Sequence, residues 1–335
     1  MRALRPLTSR FRNAVSGRSA VLAYHRVAEL QPDPQLLCVG VERFADQLEH
    51  LRRTFTVTSL VELTACLRRG ASPDGSVVLT FDDGYVDNLT NAKPVLEQYE
   101  APVTVFVTTG FVGSSRELPS DVLERCLLGA GELPRILELD IGDSHRQWTI
   151  DAPVAAPLWN VTDGTVPSLR HRCYLDLHAL LRPLDGDVRD SVLAALASWA
   201  GVPTAGRPDR RVLDGRELAA LTGDGLVEVG AHGEQHLLLG AQRPDVQRRE
   251  IAGAKIALER LLGRRVSSFA YAYGGTADIG PLASRLAREA GFDIACTTVA
   301  APVRRRADPF MLPRMIVRDW SGADLVQHLR ALLSG

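Results

Sequence analysis

The hydrophobic pattern of the first 110 residues alternates between short apolar runs and longer stretches with apolar residues at helical spacing. The apolar runs are typical of buried strands, and the helical stretches separate them. Strands joined by helices of 10–15 residues predict βαβ units and therefore a parallel sheet. The predicted strands are Val21–Tyr24, Phe55–Thr58, Ser76–Phe81 and Val103–Thr108.

The same alternation returns after residue 213. Helices are predicted over Asp245–Leu262 and Ile279–Ala290, each followed by a glycine that suits a helix C-cap. Seven or eight strands with intervening helices predict an α/β fold, an irregular (β/α)7–8 barrel. A flat doubly wound sheet is the alternative. The predicted strands of this part are Leu226–Gly230, Val266–Tyr271, Asp293–Thr297 and Met311–Val317.

The alternation breaks between about residues 112 and 212. Ile136–Ile150 predicts a β-hairpin that turns at Gly142, Asp187–Trp199 predicts a helix, and two proline-rich stretches predict loops. A structureless loop of this length is implausible inside a compact domain. We therefore predict an inserted subdomain within a barrel that covers residues 19–335.

Composition and charge bear on the expected partners of the protein and on its expected location. The 335 residues carry 39 Lys and Arg against 40 Asp and Glu, so the balance gives no reason to expect a nucleic-acid partner. No apolar run approaches a membrane span, no secretory signal is evident, and the five cysteines are scattered, which together predict a cytoplasmic location.

The first 18 residues form a basic tail without an acidic residue. One interpretation is a frayed terminal segment, and the other is a peripheral contact with an anionic membrane surface. The arginines of this tail are Arg2, Arg5, Arg10, Arg12 and Arg18.

Polar clusters follow four of the predicted strands. They begin at Tyr24-His25-Arg26, Asp82-Asp83-Gly84-Tyr85, His232 and Tyr271. In a barrel the carboxyl ends of the strands meet at one rim, where active sites are built. Residues far apart in the sequence would therefore meet in one site.

Two of these clusters offer metal ligands. His232 and His236 are four residues apart, so that on a helical turn both imidazoles would project from one face. His-x-x-x-His is a recurrent divalent-metal spacing, and Asp83 is the natural third ligand. Asp82 and Asp83 can serve unequal roles, because successive side chains leaving a strand diverge. Gly84 permits the tight turn that this arrangement needs.

These segments resemble the polysaccharide deacetylases (carbohydrate esterase family 4). Thr80–Tyr85 resembles the first family signature, His232 with His236 the second, and Phe269–Gly274 the third, which usually has Pro where this chain has Ala272. The segments 24–27 and 312–314 are similar to the branch that includes the biofilm poly-N-acetylglucosamine deacetylases. The resemblance covers about residues 20–110 and 213–320 and does not extend to the insertion.

The resemblance implies a site and a mechanism. Asp83, His232 and His236 would hold a divalent metal, by default Zn²⁺, and Asp82 would be the general base on a metal-bound water. A protonated His25 would donate to the leaving sugar amine. Many members orient the base with an arginine at the position that is Ala270 here, and Arg314 is the candidate replacement.

The remaining predicted contacts concern the substrate. A backbone N–H near Tyr273 would stabilise the oxyanion, and Tyr273, Tyr85 and Trp320 are the candidate substrate-binding residues. Trp320 is either a sugar-stacking face or a core residue.

The predicted function is removal of N-acetyl groups from amino sugars of a glycan or a glycan precursor, with an N-acetylated sugar as partner. Three alternatives stay open. They are an O-acetyl sugar esterase with the same site, a catalytically inactive glycan-binding relative, and a structural subunit of a glycan-assembly complex.

Overall fold

The structure is a computed structural model that describes residues 18–71, 75–129, 131–152 and 156–335. Its strands are β1 (Arg18–Tyr24), β2 (Arg26–Val27), β3 (Cys38–Val39), β4 (Thr56–Thr58), β5 (Ser76–Phe81), β6 (Val103–Val107), β7 (Ile136–Ile141), β8 (Ser144–Thr149), β9 (Val227–Ala231), β10 (Ser268–Ala270), β11 (Ile294–Cys296), β12 (Val303–Arg304) and β13 (Met315–Ile316). Its α-helices are α1 (Val41–Thr54), α2 (Leu60–Arg68), α3 (Lys93–Gln98), α4 (Pro119–Leu127), α5 (Leu169–Leu181), α6 (Gly186–Trp199), α7 (Gly215–Leu221), α8 (Pro244–Arg248), α9 (Ala254–Leu262), α10 (Thr276–Ile279), α11 (Ala283–Glu289) and α12 (Gly322–Ser334).

The main sheet is a row of parallel strands in the order β11-β10-β9-β6-β5-β1, with a short antiparallel β12 beside the start of β1. The two ends of this row are joined through one segment of chain. Leu312 bridges to Cys296 at the end of β11, and three residues later β13 pairs in parallel with β1. The sheet therefore curls into an irregular seven-stranded barrel, which confirms the predicted fold class and excludes the flat doubly wound alternative.

The barrel interior holds its own apolar cluster. Val21, Val78, Phe106 and Cys296 belong to it, whereas their neighbours along each strand belong to the larger cluster beneath the helices. Successive side chains of a strand point to opposite faces, so the residues two and four positions further on share the interior face. Asp82 is four positions after Val78 and is directed into the barrel.

The chain between β6 and β9 contains a second hydrophobic core, in the region where the sequence predicts an insertion. Helices α4, α5 and α6 pack there with the predicted hairpin β7–β8 around buried Trp159 and Tyr174. Helix α5 was not predicted. Within this part of the chain, Arg207 forms ion pairs with the buried carboxylates of Glu117 and Glu124.

Two predicted helices differ in detail. The helix predicted over 279–290 begins only at Ala283, as α11, because Gly280 adopts a positive φ and Pro281 has no N–H to donate; Ile279 is the last residue of α10. The helix predicted over 245–262 contains a π-turn at Arg249–Gly253 between α8 and α9. The final helix α12 was not predicted.

The predicted basic tail lies outside the described residues except for Arg18, so the membrane contact stays a prediction. In the described part of the chain, no helix combines the length and the apolar character that a membrane crossing requires.

Candidate active site

The carboxyl ends of β5 and β9 bring together the three predicted metal ligands. One ligand atom each from Asp83, His232 and His236 lies within 4.8 Å of the others. The Nε2 atoms of His232 and His236 are 3.5 and 3.4 Å from Oδ1 of Asp83. That oxygen is buried and has no hydrogen-bond partner. The three residues therefore surround a position at which a cation would bind the Asp83 oxygen and the two imidazole nitrogens.

The backbone of the β5 turn separates the roles of the two aspartates. Asp82 continues the interior face of β5, whereas Asp83 has a φ of 74° and Gly84 a φ of 77°. A Cβ added to Gly84 would lie 3.0 Å from the Val107 side chain. Only glycine fits this position, and the resulting turn directs Asp83 away from Asp82 towards the histidines.

The two histidines lie on a loop, not on the helical turn that the sequence predicted. Gly233 has a φ of 80° and His236 a φ of 56°, both in the left-handed region, which ends any helical path. The imidazoles still converge, with ring centroids 5.1 Å apart. The spacing therefore correctly predicted that the two imidazoles meet, but the local geometry is a loop and not a helical turn.

The hydrogen bonds and charges of the ligands suit a metal. Nδ1 of His232 lies 2.8 Å from the carbonyl oxygen of Ala270, so Nδ1 carries the proton and Nε2 is free to bind a cation. Burial lowers the pKa of both histidines, which keeps them neutral as ligands. Burial, and then the charge of Asp82, raise the pKa of Asp83 well above its usual range. A bound cation would favour the ionised form of this buried acid, so the three residues fit a divalent metal.

Arg314 lies against Asp82 at the centre of the barrel. Its Nη1 and Nη2 atoms donate to the two carboxylate oxygens at 2.7 and 2.8 Å, and its side chain is fully buried. It also donates to Oγ1 of Thr80 and to the carbonyl of Thr297. Burial is the largest single influence and would raise the pKa of Asp82, but the charges of Arg314 and His232 and the hydrogen bonds from Arg314 together outweigh burial and hold that pKa well below its usual range. The carboxylate beside the metal ligands is therefore kept ionised and fixed in orientation.

His25 follows β1 and shares the interior face with Val21. Burial lowers its pKa to about 4, and the nearby Asp82 carboxylate offsets only part of that effect. His25 is therefore neutral at pH 7 in the resting site. An imidazolium would lose its hydration there, and the role of a protonated His25 as donor to the leaving amine stays a prediction.

The three predicted substrate residues have different surroundings. Tyr273 lies at the rim, with its ring 4.9 Å from that of His236. Tyr85 is fully buried and donates its hydroxyl proton to Asp121 at 2.7 Å, so it presents no surface to a substrate, contrary to the prediction. Trp320 stacks on His328 of α12 at 4.1 Å and packs against the main core, which favours its interpretation as a packing residue.

The insertion forms one wall of the site. A cavity of about 40 Å³ is lined by Asp83, His236 and Tyr273 on the barrel side and by residues of α4, α5 and α6 on the other. The Arg182 guanidinium lies 4.4 Å above the Tyr273 ring. Arg189 of α6 also lines this cavity. Sequence reasoning missed both arginines, because an arginine on an amphipathic helix gives no signal of which surface it faces.

The sequence profile described as polysaccharide deacetylase matches residues 69–128 and 204–295. No curated protein matches the chain. The matched ranges contain the segment Thr80–Tyr85, the pair His232 and His236, and the segment Phe269–Gly274, while most of the insertion lies between them.

Several solved structures share the fold. Deacetylase PplD from Streptococcus pyogenes, in complex with acetate, is 17% identical, with 92% of this chain and 97% of that chain covered and a TM-score of 0.58. IcaB from Ammonifex degensii is 18% identical, with 96% and 98% covered and a TM-score of 0.58. A de-N-acetylase from Aggregatibacter actinomycetemcomitans is 13% identical, with 93% and 99% covered and a TM-score of 0.54.

The shared fold extends over nearly the whole of these chains, and the family profile matches at the three segments that build the site. The chain therefore resembles the polysaccharide deacetylase family, in its fold and in the three segments that build the site.

Proposed function

We propose that this protein is a metal-dependent hydrolase that removes N-acetyl groups from amino sugars of a glycan or a glycan precursor. The observation that carries the proposal is the pairing of two features in one site. Asp83, His232 and His236 surround an unsatisfied buried oxygen, and beside them Arg314 holds the Asp82 carboxylate ionised.

The three ligands leave room for substrate, as a catalytic metal site requires. A divalent metal, by default zinc, would supply a Lewis acid that polarises the acetyl carbonyl and acidifies the attacking water. Asp82 is the general base for that water, since it is ionised and lies outside the ligand set. The backbone N–H of Tyr273, at the rim of the site, donates to the oxyanion of the tetrahedral intermediate.

The leaving nitrogen needs a proton before the C–N bond breaks. Because His25 is neutral at rest, that proton comes from the attacking water, through Asp82. We assign to His25 the delivery of this proton to the amine, because it is directed into the same barrel interior as Asp82. Acetate and a free amine are then the products, and Asp82 returns to its ionised form.

Acetate release from an N-acetylglucosamine oligomer by the zinc-loaded protein tests the proposal. In Asp82→Asn, release should fall by about 10²–10⁴-fold, the usual contribution of a general base. The zinc content should not change. The exposed Asp224→Asn serves as the matched control and should keep wild-type activity. Full activity in Asp82→Asn would contradict the assignment of the base.

Two alternatives need separate measurements. An O-acetyl sugar esterase would use the same residues, so one sugar in N-acetylated and O-acetylated forms separates the two reactions. A binding module without activity would hold the oligomer in the zinc-loaded state and release no acetate. The ionised Asp82 favours an enzyme, because glycan binding alone has no chemical need for a general base.

A further inference from the structure

The loop that joins the two histidine ligands is held from both sides by buried charged residues. Glu250 accepts from its backbone N–H groups, and Arg189 donates to its backbone carbonyls. Glu250 belongs to the barrel part of the chain, whereas Arg189 belongs to the insertion. Neither residue is a metal ligand, and neither has a role in the proposed reaction.

Glu250 lies on the π-turn Arg249–Gly253 and is 1% exposed. Its carboxylate accepts from the N–H groups of Glu234 and Gln235 at 3.1 Å. A Cβ on Gly233 would lie 2.7 Å from the same carboxylate, so the loop approaches Glu250 as closely as a glycine permits. Burial raises the pKa of Glu250 to about 7. π-turns inside helices are frequent at functional sites, and this one places an acid against the ligand loop.

Arg189 projects from α6 and is also 1% exposed. Its Nη1 donates to the carbonyl of His236 at 3.1 Å, and its Nη2 donates to the carbonyl of Gln235. Within the described ranges no carboxylate lies at ion-pair distance from this guanidinium. A buried cation without a counterion is costly unless its donors are used. The two carbonyls use Nη1 and Nη2 of Arg189, whereas its Nε is buried without a hydrogen-bond partner.

The contacts bear on the ligand itself. His236 has a φ of 56°, a left-handed conformation that is unfavourable for a non-glycine residue and persists only where the surroundings impose it. Arg189 bonds the carbonyl of this strained residue, and Glu250 bonds the N–H groups just before it. Together they fix the direction in which the His236 imidazole leaves the backbone.

We propose that Arg189 and Glu250 are positioning residues for the metal ligand His236, and that the insertion is thereby a working part of the metal site. The inference rests on the proposed function, since it takes Asp83, His232 and His236 to bind a divalent metal. Outer partners of metal ligands typically contribute about 10–100-fold to metal affinity, which sets the expected size of the effect.

Zinc affinity of the full chain, measured by competition with a chelator, tests the inference without requiring turnover. Arg189→Met removes the donors and keeps the stem, and Glu250→Gln is nearly isosteric. Each should weaken zinc binding by about 10-fold or more. The visible spectrum of the cobalt-loaded protein should shift in both, because the geometry of His236 changes. Arg189→Lys should recover part of the affinity, since it restores one donor.

Arg170→Met is the matched control, because Arg170 is also a buried arginine of the insertion but bonds the carbonyl of Asp151 within it. It should lower the stability of the insertion and leave zinc affinity and the cobalt spectrum unchanged. If Arg189→Met does not fold, Arg189→Lys and Glu250→Gln carry the test. Folded variants with wild-type zinc affinity and an unchanged cobalt spectrum would overturn the inference. Tight zinc binding by a wild-type chain that releases no acetate would instead overturn the proposed function alone.

Discussion

The guanidinium of Arg314 donates hydrogen bonds to both carboxylate oxygens of Asp82, at 2.7 and 2.8 Å, although the two residues are 232 positions apart in the chain. The pair is buried at the axis of the barrel, where β5 and the segment before β13 come together. The two parallel hydrogen bonds from a planar guanidinium fix the orientation of the carboxylate and stabilise its ionised form. Because Asp82 lies beside the metal ligands, this pair determines the direction from which the proposed base reaches the water.

Replacement of Arg314 should impair the base. Arg314→Lys keeps a charge but cannot form the two-pronged contact, so kcat should fall by about 10²-fold. Loss of the guanidinium raises the pKa of Asp82. The pH below which activity is lost should therefore be higher in the variant than in the wild type. The kcat–pH profile of the zinc-loaded variant checks this expectation. Exposed Arg304→Met is the control, and an acid limb of Arg314→Lys identical to wild type would contradict it.

Removal of the metal should lower stability as well as activity. Zinc at about 100 times its dissociation constant should add about 2.7 kcal/mol to the free energy of unfolding, because it binds the folded chain. Thermal unfolding with zinc and with excess chelator measures this difference. Asp83→Asn should abolish most of the zinc-dependent increase, whereas Asp82→Asn should retain it. An equal loss in both variants would mean that Asp82 is a ligand.

Gly84→Ala should destabilise the fold and disturb Asp83. Its φ of 77° is strained for alanine, and the new Cβ would meet Val107 at 3.0 Å. We expect a loss of about 1–3 kcal/mol in the free energy of unfolding, measured by urea denaturation. Gly70→Ala is the matched control, since its φ is 67° and nothing lies within 4 Å of the added Cβ. It should cost less and leave zinc affinity unchanged, and equal costs would show that the Val107 contact is unimportant.

Asp121 should make stability depend on pH. Burial raises its pKa to about 6, although Arg26 and the Tyr85 hydroxyl act in the opposite direction. Between about pH 4 and 6 the unfolded chain ionises this carboxyl before the folded chain does, so its contribution to stability falls as pH rises and then levels off. The Asp121→Asn variant has no ionisable group at this position and therefore lacks this pH-dependent contribution to stability. The free energy of unfolding of the variant relative to wild type should therefore increase from pH 4 to 6, and a constant difference would contradict the raised pKa.

His25→Gln should reduce kcat without loss of metal. The amide cannot accept and pass on a proton, so kcat should fall by about 10²-fold, within the usual range for acid–base catalysis. Zinc affinity should stay within about twofold of wild type, because His25 is not in the ligand set. Steady-state kinetics beside the chelator competition separates the two effects. Unchanged kcat would assign proton delivery to Asp82 alone.

Sequence reasoning was accurate where the information is local. The strand Ser76–Phe81 was predicted with its observed bounds, and the predicted hairpin forms β7 and β8. Side-chain alternation and the position of glycine follow from residues within one turn or one strand. The carboxyl-end rule then indicated that Asp82, Asp83 and His232 would meet, because parallel strands end on the same side of a sheet.

Other features depended on how distant segments pack. The His232–His236 segment is a loop with positive φ at Gly233 and His236 and with contacts to Glu250 and Arg189, whereas spacing alone favoured a helical turn. Desolvation lowers the pKa of the half-buried His25, and Tyr85 is inaccessible because it is fully buried. Both effects arise from the whole surroundings of a side chain.

The sequence by itself determined the alternation of strands and helices in the barrel, the motifs that resemble the deacetylase signatures and the candidate metal ligands, since these rest on residue type and short-range spacing. Only the tertiary structure decided that Arg314 meets Asp82 in the barrel and that Arg189 of the insertion reaches the carbonyl of His236. Closure of the barrel and docking of the insertion set these distances. They are fixed by packing across the fold, which no local spacing encodes.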